Sequence, residues 1–589
     1  MKSLRHQLTD IVADAFATQG FKREYGVVEK SNRADLGQFQ CNGALAAAKQ
    51  YKMNPRQLAQ QVVDCLQQNS IFSAVSLAGP GFINLTVTDE FLARHLQHIS
   101  ADRRLGSEEV SPALKMIVDY GGANIAKPLH VGHLRAAIIG ESLKRLARFL
   151  GHNVLGDVHL GDWGLQMGMI ISELARRKPE LPYFDPDYSG PYPQDAPFTI
   201  ADLEEIYPTV SERAKNDPAV MEAARQATYQ LQQGHRGYHA LWQHIFNVSV
   251  ADLKADYHAL NIDFDLWYGE SHTQDRLPGL IERLQRDGWA YESQGALVVD
   301  VNEPEDTKNL PPLMLVKSDG AVLYGTTDLA TIEQRVEDYQ PDLMLYVVDK
   351  RQSDHFRQVF RGAHKTGIAP KSLKMIHIGF GTMNGKDGKP FKTRAGGVMK
   401  LKDLIQMITD KALERMTAAD IAKEYDESER QEIARIIGVA TLKFADLMNH
   451  YTTDYIFDLD RFASFDGRTG PYLLYTAVRI KSILRKAAEQ GLEPGNILPP
   501  ASQVERDVFL KLAEFPNALD LAFENYAPNY LCDYAYTLAS LFTTFYHEHH
   551  ILREEQSERQ ASWLGLAQVS LAMLEQVLDL LGIETPERM

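Results

Sequence analysis

Cysteine is scarce in this sequence: only three of the 589 residues are cysteines. Cys41, Cys65 and Cys532 lie far apart and form no C-x-x-C pair, which argues against both a zinc knuckle and a disulfide framework. Such low cysteine use is typical of a reducing compartment, so we expect a cytoplasmic protein.

Long apolar runs are also missing. No stretch of 18 or more apolar residues occurs, so we expect no transmembrane helix. The first residues, Met1–Gln7, lack the apolar core of a secretory signal. The hydrophobic share of 44% and the charged share of 24% are those of an ordinary globular chain, and the length predicts about four domains.

Basic residues are outnumbered by acidic ones. The chain has 62 Lys and Arg against 78 Asp and Glu, which gives a net charge of −16. This balance excludes a nucleic-acid binder that is basic over its whole surface. An enzyme with a local basic stripe remains possible, because phosphate binding needs positive charge only at the contact.

Residues 116–150 carry a strand, a glycine-containing turn and a helix. Met116–Val118 is a short β-branched run, and apolar residues recur at helical spacing after His133. Free backbone N–H groups and the positive end of the dipole make the start of a helix an anion site. Here the helix start carries His130, His133 and, just before them, Lys127. By itself, His-x-x-His also fits a metal pair or two solvated histidines.

The string Asn124–Arg135 resembles the HxGH signature of the class I aminoacyl-tRNA synthetases, in the form found in the arginyl-tRNA synthetase family. The resemblance implies a Rossmann-like parallel-sheet catalytic domain. It also implies that His130, His133 and Lys127 stabilise charge on the α-phosphate of ATP while a carboxylate attacks it. Gly132, between the histidines, would let the ligand approach the backbone closely.

Further strands are expected at Asn153–Val158, Leu343–Asp349 and Met375–Gly381, and a strand with alternating side chains is expected at Ala296–Val301. A polar, proline-rich insertion at about 178–263 lies between the halves of the sheet. The string that starts at His159 resembles the H-x-G-D-W-G string of the family. The same residues also fit an ordinary turn in which Asp162 caps a helix.

The resemblance implies a pocket for arginine. Glu270 and Asp328 match the positions that bind the guanidinium group, and Tyr324 lies on the same helix face as Asp328 if the turn there is helical. Gln352 and Asn124 would take the α-amino end. The implied substrate-binding residues are Asn124, His159, Glu270, Tyr324, Asp328 and Gln352.

A basic loop, Lys386–Gly397, follows the last strand and suits a phosphate clamp. It resembles the second class I signature only in charge and approximate shape, so two registers stay open: Lys389 with Lys392, or Lys392 with Arg394. Lys127 would compensate for a missing loop lysine, and Lys392 is expected to be catalytic. The implied ATP-binding residues are His130, Gly132, His133, Phe380, Gly381, Lys389, Lys392 and Arg394.

The two ends of the chain resemble the tRNA-contacting parts of the family. In the N-terminal region, the alternation along Phe82–Val87 predicts a sheet with one wet face. In the C-terminal region, one helix carries a stripe of aromatic and basic residues that suits tRNA, although a solvated helix face has the same pattern. The stripe comprises Tyr472, Tyr475, Arg479, Lys481, Arg485 and Lys486.

We therefore expect an α/β protein with four parts: an N-terminal α+β domain (1–108), a Rossmann catalytic domain (109–400), a helical connective segment (401–466) and a helical anticodon-binding bundle (467–589). The resemblance implies an arginine-activating ligase that uses ATP with its Mg²⁺ and acts on tRNA(Arg), with no protein-held metal and no membrane, as a monomer.

Two other classes of protein were weighed. An adenylating ligase without tRNA would not need the helical C-terminal third. A regulatory protein that has lost catalysis would not need the intact set of Lys127, His130, His133, Glu270 and Asp328.

Overall fold

The computed structural model of the chain describes residues 2–33, 35–307, 309–318, 320–389, 391 and 399–589. Within these ranges, no helix is both long enough and apolar enough to cross a membrane.

Residues 2–100 form an antiparallel sheet covered by helices, in the strand order β1-β2-β4-β3. Helix α1 begins where the Ser3 hydroxyl accepts the N–H of His6, and α4 begins at Thr88 in the same way. The elements are α1 (Leu4–Thr18), β1 (Val28–Lys30), β2 (Phe39–Cys41), α2 (Gly43–Tyr51), α3 (Pro55–Leu66), β3 (Phe72–Ala78), β4 (Phe82–Val87) and α4 (Asp89–Ser100).

Strand β4 departs from the expected alternation at one position. Ile83, Leu85 and Val87 are buried, but so is Asn84, which was expected on a wet face. The amide nitrogen of Gln40 on β2 donates a hydrogen bond to Asn84 Oδ1 at 2.9 Å. A buried amide needs a hydrogen-bonding partner, and Gln40 provides one for Asn84.

A four-stranded parallel sheet with the order β11-β10-β5-β6 forms the centre of the next region. Its strands are mostly buried, as is typical of sheets covered on both faces. The elements are β5 (Lys115–Asp119), α5 (Val131–Phe149), β6 (Asn153–Asp157), α6 (Leu165–Arg177), α7 (Ile200–Asn216), α8 (Pro218–Gln232), α9 (Arg236–Ala259), α10 (Leu277–Arg286), β7 (Ala290–Ser293), β8 (Ala296–Val299), β9 (Leu313–Val316), α11 (Tyr324–Tyr339), β10 (Leu343–Asp349), α12 (Ser353–Lys365), β11 (Lys374–Phe380) and β12 (Met383–Asn384).

The expected insertion is helical, and a second sheet follows it. Helices α7, α8 and α9 lie between the two halves of the parallel sheet in the chain. Strand β8 does not join that sheet but pairs with β7 and β9 in a separate antiparallel one. All four residues of β8 are buried, so the alternation expected there is wrong.

From residue 401 onward the chain is mostly helical, as expected. The exception is the two-residue strand β13, which pairs with β12 in parallel. The elements are α13 (Leu401–Ala418), α14 (Glu427–Leu447), β13 (Tyr455–Ile456), α15 (Leu459–Phe462), α16 (Gly470–Glu489), α17 (Gln503–Ala513), α18 (Phe515–Glu524), α19 (Asn529–Glu548) and α20 (Ser557–Leu580).

Helix α5 is buried along most of its length and is fixed to the C-terminal helices near its far end. Nη1 of Arg145 donates to the Asp579 carboxylate at 2.8 Å. Nearby, the buried Lys443 of α14 donates to the carbonyl of Gly582 at 2.7 Å. The end of α20 therefore contacts the same helix that carries the histidine pair at its start.

Candidate active site

The predicted site residues lie near the carboxyl ends of the parallel strands. The β5–α5–β6 and β10–α12–β11 units turn to opposite sides, so the order reverses between β5 and β10. Such a reversal opens a ligand crevice. Beyond the strands, Asn124 forms a bridge with Gly161 and Leu160 forms one with Gly269, which places these three loop segments side by side.

His130 and His133 stack at the start of α5, with ring centroids 3.9 Å apart. Nδ1 of His130 accepts the N–H of Gly132 at 3.0 Å, and Nδ1 of His133 accepts the N–H of His130 at 3.2 Å. A neutral imidazole whose Nδ1 accepts must carry its proton on Nε2. Each ring therefore offers an Nε2–H donor.

Both histidines are neutral at pH 7. Burial, followed by the charge of Lys127, lowers the pKa of His130, and burial lowers the pKa of His133 to about 3. The pair thus acts as two hydrogen-bond donors, not as two cations, in the absence of a bound anion.

The expected free N–H groups at the start of α5 are already used. The N–H of Val131 donates to the Met399 carbonyl at 3.1 Å, that of Gly132 to the His130 ring, and that of His133 to the His130 carbonyl at 2.8 Å. The expectation of a backbone anion site is therefore wrong for these three groups. The side chains and the helix dipole remain to attract an anion.

Gly132 has an intramolecular reason to be glycine. A Cβ at this position would lie 2.8 Å from Cε1 of His130, so any larger residue would push that ring away. The exposed glycine thus lets the His130 ring fold back over its own helix start.

Four of the expected ATP-binding residues line one cavity of about 240 Å³ between α5 and the end of β11. They are His130, Gly132, Phe380 and Gly381. Arg135, two residues after His133, also lines this cavity. It forms a buried ion pair with Asp446 of α14, with Nε 2.9 Å from Oδ2. Arg135 therefore connects the cavity wall to the helical region.

Glu270 and Tyr324 line a second cavity of about 430 Å³. Burial raises the pKa of Glu270 to about 7, with smaller upward effects from the charges of Asp162 and Asp328. Tyr324 is 72% exposed at the mouth. A half-buried carboxyl group with a raised pKa favours a cationic ligand, which would restore the charged form.

Asp328 lies on α11 one turn beyond Tyr324, so the expected helical turn is present. Its Oδ2 is 2.6 Å from Nε2 of His355 on α12. This hydrogen bond raises the pKa of His355 against the opposing effect of burial. The carboxylate expected to bind guanidinium therefore has a titratable neighbour.

His159 belongs to a buried polar cluster at the ends of β5 and β6. Its ligand atoms and those of Asp119 and Asp157 lie within 4.8 Å of one another, a spacing that could hold a metal ion. However, Nη2 of Arg335 donates to both carboxylates at 2.6 Å. The guanidinium supplies the positive charge that a metal would bring, so the residues do not fit a resident metal.

Asp162 is not a helix cap. Its carboxylate accepts hydrogen bonds from the Ser271 N–H at 3.0 Å and from the Ser271 hydroxyl at 2.5 Å. Helix α6 begins beyond it, at Leu165, and its N-cap residue is Gly164. The interpretation as an ordinary strand-to-helix turn is therefore wrong, because Asp162 holds the segment that contains Glu270.

The other predicted residues are less enclosed. Gln352 is exposed on the short 3-10 helix Lys350–Gln352, and Lys389 is exposed in the turn after β12. In the part of the chain that the structure describes, no hydrogen bond joins the Gln352 side chain to another predicted site residue. Lys392 and Arg394 lie outside the described residues, so both loop registers stay open.

Three family models match successive parts of the chain. The model for "Arginyl tRNA synthetase N terminal domain" matches residues 2–87, that for "tRNA synthetases class I (R), catalytic domain" matches residues 95–459, and that for "DALR anticodon binding domain" matches residues 473–589.

Curated relatives match over the full length of both chains. The sequence is 54% identical to an arginine--tRNA ligase of Alkaliphilus oremlandii and 50% identical to one of Agathobacter rectalis. The chain belongs to the arginyl-tRNA synthetase family. The resemblance seen in the string Asn124–Arg135 is thus confirmed.

Solved structures of the family share the fold. The Thermus thermophilus arginyl-tRNA synthetase has a TM-score of 0.79 at 22% identity, and the Plasmodium falciparum arginyl-tRNA synthetase has a TM-score of 0.78 at 24% identity. Both comparisons cover 100% of each chain. The expected fold, a class I catalytic domain with an N-terminal domain and a helical C-terminal domain, is confirmed.

The basic stripe on α16 lies in the part that matches the anticodon-binding model. It offers fewer uncompensated basic charges than expected. Lys481 forms ion pairs with Glu575 at 2.9 Å and Glu587 at 2.7 Å. Tyr475 is exposed, with the Arg479 guanidinium 4.7 Å from its ring centroid. Lys481 is therefore neutralised, whereas Arg479, Arg485 and Lys486 stay on the accessible face.

Sequence reasoning missed His355 and two charged residues beside the first cavity, Asp349 and Arg351. All three follow or end β10, the strand whose carboxyl end borders the crevice. The rule that ligands bind at the carboxyl ends of parallel strands points to these three residues as well.

Proposed function

We propose that the chain is an arginine--tRNA ligase. A carboxylate oxygen of L-arginine attacks the α-phosphorus of ATP, forms arginyl-adenylate and releases pyrophosphate. A terminal ribose hydroxyl of tRNA(Arg) then attacks the carbonyl carbon of the adenylate and releases AMP. No side chain needs to become a nucleophile, because positioning and charge stabilisation suffice.

The observation that carries the proposal is that Glu270 lines one cavity and His130 lines another, both in or next to loops that follow strands of the parallel sheet. Guanidinium presents five donors in a plane, which carboxylates such as Glu270 and Asp328 match. The Nε2–H donors of His130 and His133 suit the oxygens of a phosphate. Together the two cavities fit the two halves of an arginyl-adenylate.

Within this proposal, Lys127 and the basic loop that contains Lys389, Lys392 and Arg394 stabilise the phosphates. Mg²⁺ arrives with ATP, since Arg335 occupies the carboxylate pair that could otherwise hold a metal. Asn124 and Gln352 take the α-amino end of arginine, and His159 supports the pocket floor.

We divide the chain as the sequence predicts: 1–108 and 467–589 contact tRNA, 109–400 carries the chemistry, and 401–466 connects them. The N-terminal domain and the C-terminal helices contact each other, because Arg506 of α17 donates to the Val87 carbonyl at the end of β4 at 2.8 Å. We further propose a monomer that acts in the cytoplasm.

The test is ATP–pyrophosphate exchange with each of the twenty amino acids, with and without tRNA. Of the twenty amino acids, only arginine should support exchange, and transfer of arginine to tRNA(Arg) should follow. Exchange with a different amino acid, or with none, would overturn the proposal. The variant Glu270→Gln should lose arginine affinity, and Glu292→Gln, an exposed glutamate on β7, serves as its matched control.

A further inference from the structure

The inserted helices contact the turn that carries Lys127. Ala126, just before this lysine, has a φ of 57°, in the left-handed region that residues with a Cβ rarely adopt. Its N–H donates to the Ser249 hydroxyl of α9 at 2.8 Å, and Ser249 is buried. A strained backbone persists only when its surroundings hold it, so α9 maintains this turn.

Lys127 itself rests against the insertion. Its Nζ lies 4.4 Å from the ring centroid of Tyr207 on α7, a geometry in which the ring face attracts the cation. Within the described part of the chain, Nζ has no carboxylate partner at ion-pair distance. An ammonium group held by a ring keeps its full charge for a phosphate, whereas an ion pair would neutralise it.

The charge of Lys127 reaches the histidine pair, since it lowers the pKa of both His130 and His133. The ammonium group that Tyr207 holds therefore acts electrostatically on both rings.

One face of α9 supports both loops of the crevice. Trp242 lies two helical turns before Ser249, and its indole N–H donates to the Asp162 carbonyl at 2.9 Å. Asp162 in turn holds the segment of Glu270. On α7, the Glu204 carboxylate pairs with Lys400 at 2.7 Å, directly after Met399, the partner of Val131.

We propose that the insertion has a catalytic purpose: Tyr207 and Ser249 are positioning residues that hold Lys127 beside the histidine pair. The inference rests on the proposed function, because Lys127 acts there on the phosphates of ATP. Tyr207 fixes the ammonium group and Ser249 fixes the backbone from which it extends. Neither residue touches the reacting atoms.

The experiment is a double-mutant cycle in the full chain, with kcat and the KM for ATP measured in arginine-dependent exchange. Tyr207→Leu removes the ring, and kcat should fall about three- to tenfold, with the KM for ATP changed less than about twofold. Tyr207→Phe keeps the ring and should retain the wild-type kcat. In the Lys127→Met background, Tyr207→Leu should have no further effect.

Ser249→Ala is the second variant, in case Tyr207→Leu disturbs the fold. It should also lower kcat with little change in the KM for ATP, and it should do so only when Lys127 is present. Tyr229→Leu, on the exposed side of α8, is the matched control and should leave kcat unchanged.

Equal losses in the wild-type and Lys127→Met backgrounds would show a merely structural role and overturn the inference, as would an unchanged kcat in both Tyr207→Leu and Ser249→Ala. These results leave the proposed function standing as long as wild-type exchange depends on arginine. Wild-type exchange that does not depend on arginine would overturn both.

Discussion

Nε2 of His355 lies 2.6 Å from Oδ2 of Asp328, so a titratable group on α12 shares the carboxylate that we assign to the guanidinium of arginine. The hydrogen bond raises the pKa of His355 above its usual value. Below that pKa the imidazolium and the substrate compete for one carboxylate, and above it the neutral ring brings no competing charge.

The KM for arginine should therefore rise as the pH falls through the pKa of His355. His355→Gln keeps a neutral donor for Asp328 and should remove this step from the profile, measured between about pH 6 and 8. His547→Gln, at an exposed position of α19, is the control. A profile that keeps its full pH dependence in His355→Gln would contradict the competition.

Glu270 should release a proton when arginine binds. Its pKa of about 7 means that the carboxyl group is largely protonated below neutral pH, and a guanidinium stabilises the charged form. Calorimetry in buffers of different ionisation enthalpy should detect the release below pH 7 and its loss at higher pH. Glu270→Gln should abolish the release and raise the KM for arginine at least about tenfold.

The histidine pair should affect the rate of adenylate formation more than the binding of arginine. His133→Ala or His130→Ala should lower the rate of adenylate formation about 10²–10³-fold, with the KM for arginine within a few-fold. The measurement is exchange at saturating ATP. Wild-type turnover in either variant would contradict the role of the Nε2–H donors.

The tRNA surface of α16 can be tested by its salt dependence. Arg479→Ala or Arg485→Ala should reduce the slope of log Kd for tRNA against log salt by about 1, as expected for one lost phosphate contact. Lys481→Gln should leave the slope unchanged, because Glu575 and Glu587 already neutralise this lysine. Equal slopes in all three variants would place the tRNA elsewhere.

The buried pair of Arg135 and Asp446 should be essential for stability. Arg135→Leu leaves a buried carboxylate without its partner and should cost about 3–5 kcal/mol of stability. Burial already raises the pKa of Asp446, and the charge of Arg135 opposes this. The denaturant midpoint of unfolding measures the loss, which should be smaller in the double variant Arg135→Leu with Asp446→Leu.

Local signals predicted the main elements of the fold. Leu343–Asp349 forms a strand with the expected bounds, because a short continuous apolar run suits a strand buried on both faces. Helix α5 ends as predicted before Gly151, whose φ of 99° suits glycine. The parts that depend on distant residues could not be read in this way.

Three examples show this limit. The N–H of Val131 pairs with the carbonyl of Met399, and the partners of Lys481 lie about a hundred residues further along the chain. Strand β8 pairs with β7 and β9 and not with the similarly apolar strands of the parallel sheet. In the candidate site, the motif residues were found from their strings, whereas Tyr207 gave no local signal, since its role comes from folding α7 over Lys127.

The attachment of α5 to the end of α20 bears on how genetic variants in the bundle should be interpreted. Arg145 links the far end of the histidine helix to Asp579 in the last turn of α20. Lys443 of α14 holds Gly582 just after that turn. A substitution in that turn can lower charging by disturbing tRNA recognition or by shifting the histidine pair. Exchange measured on the same variant separates the two causes, so a charging defect that maps to the bundle does not by itself identify a tRNA contact.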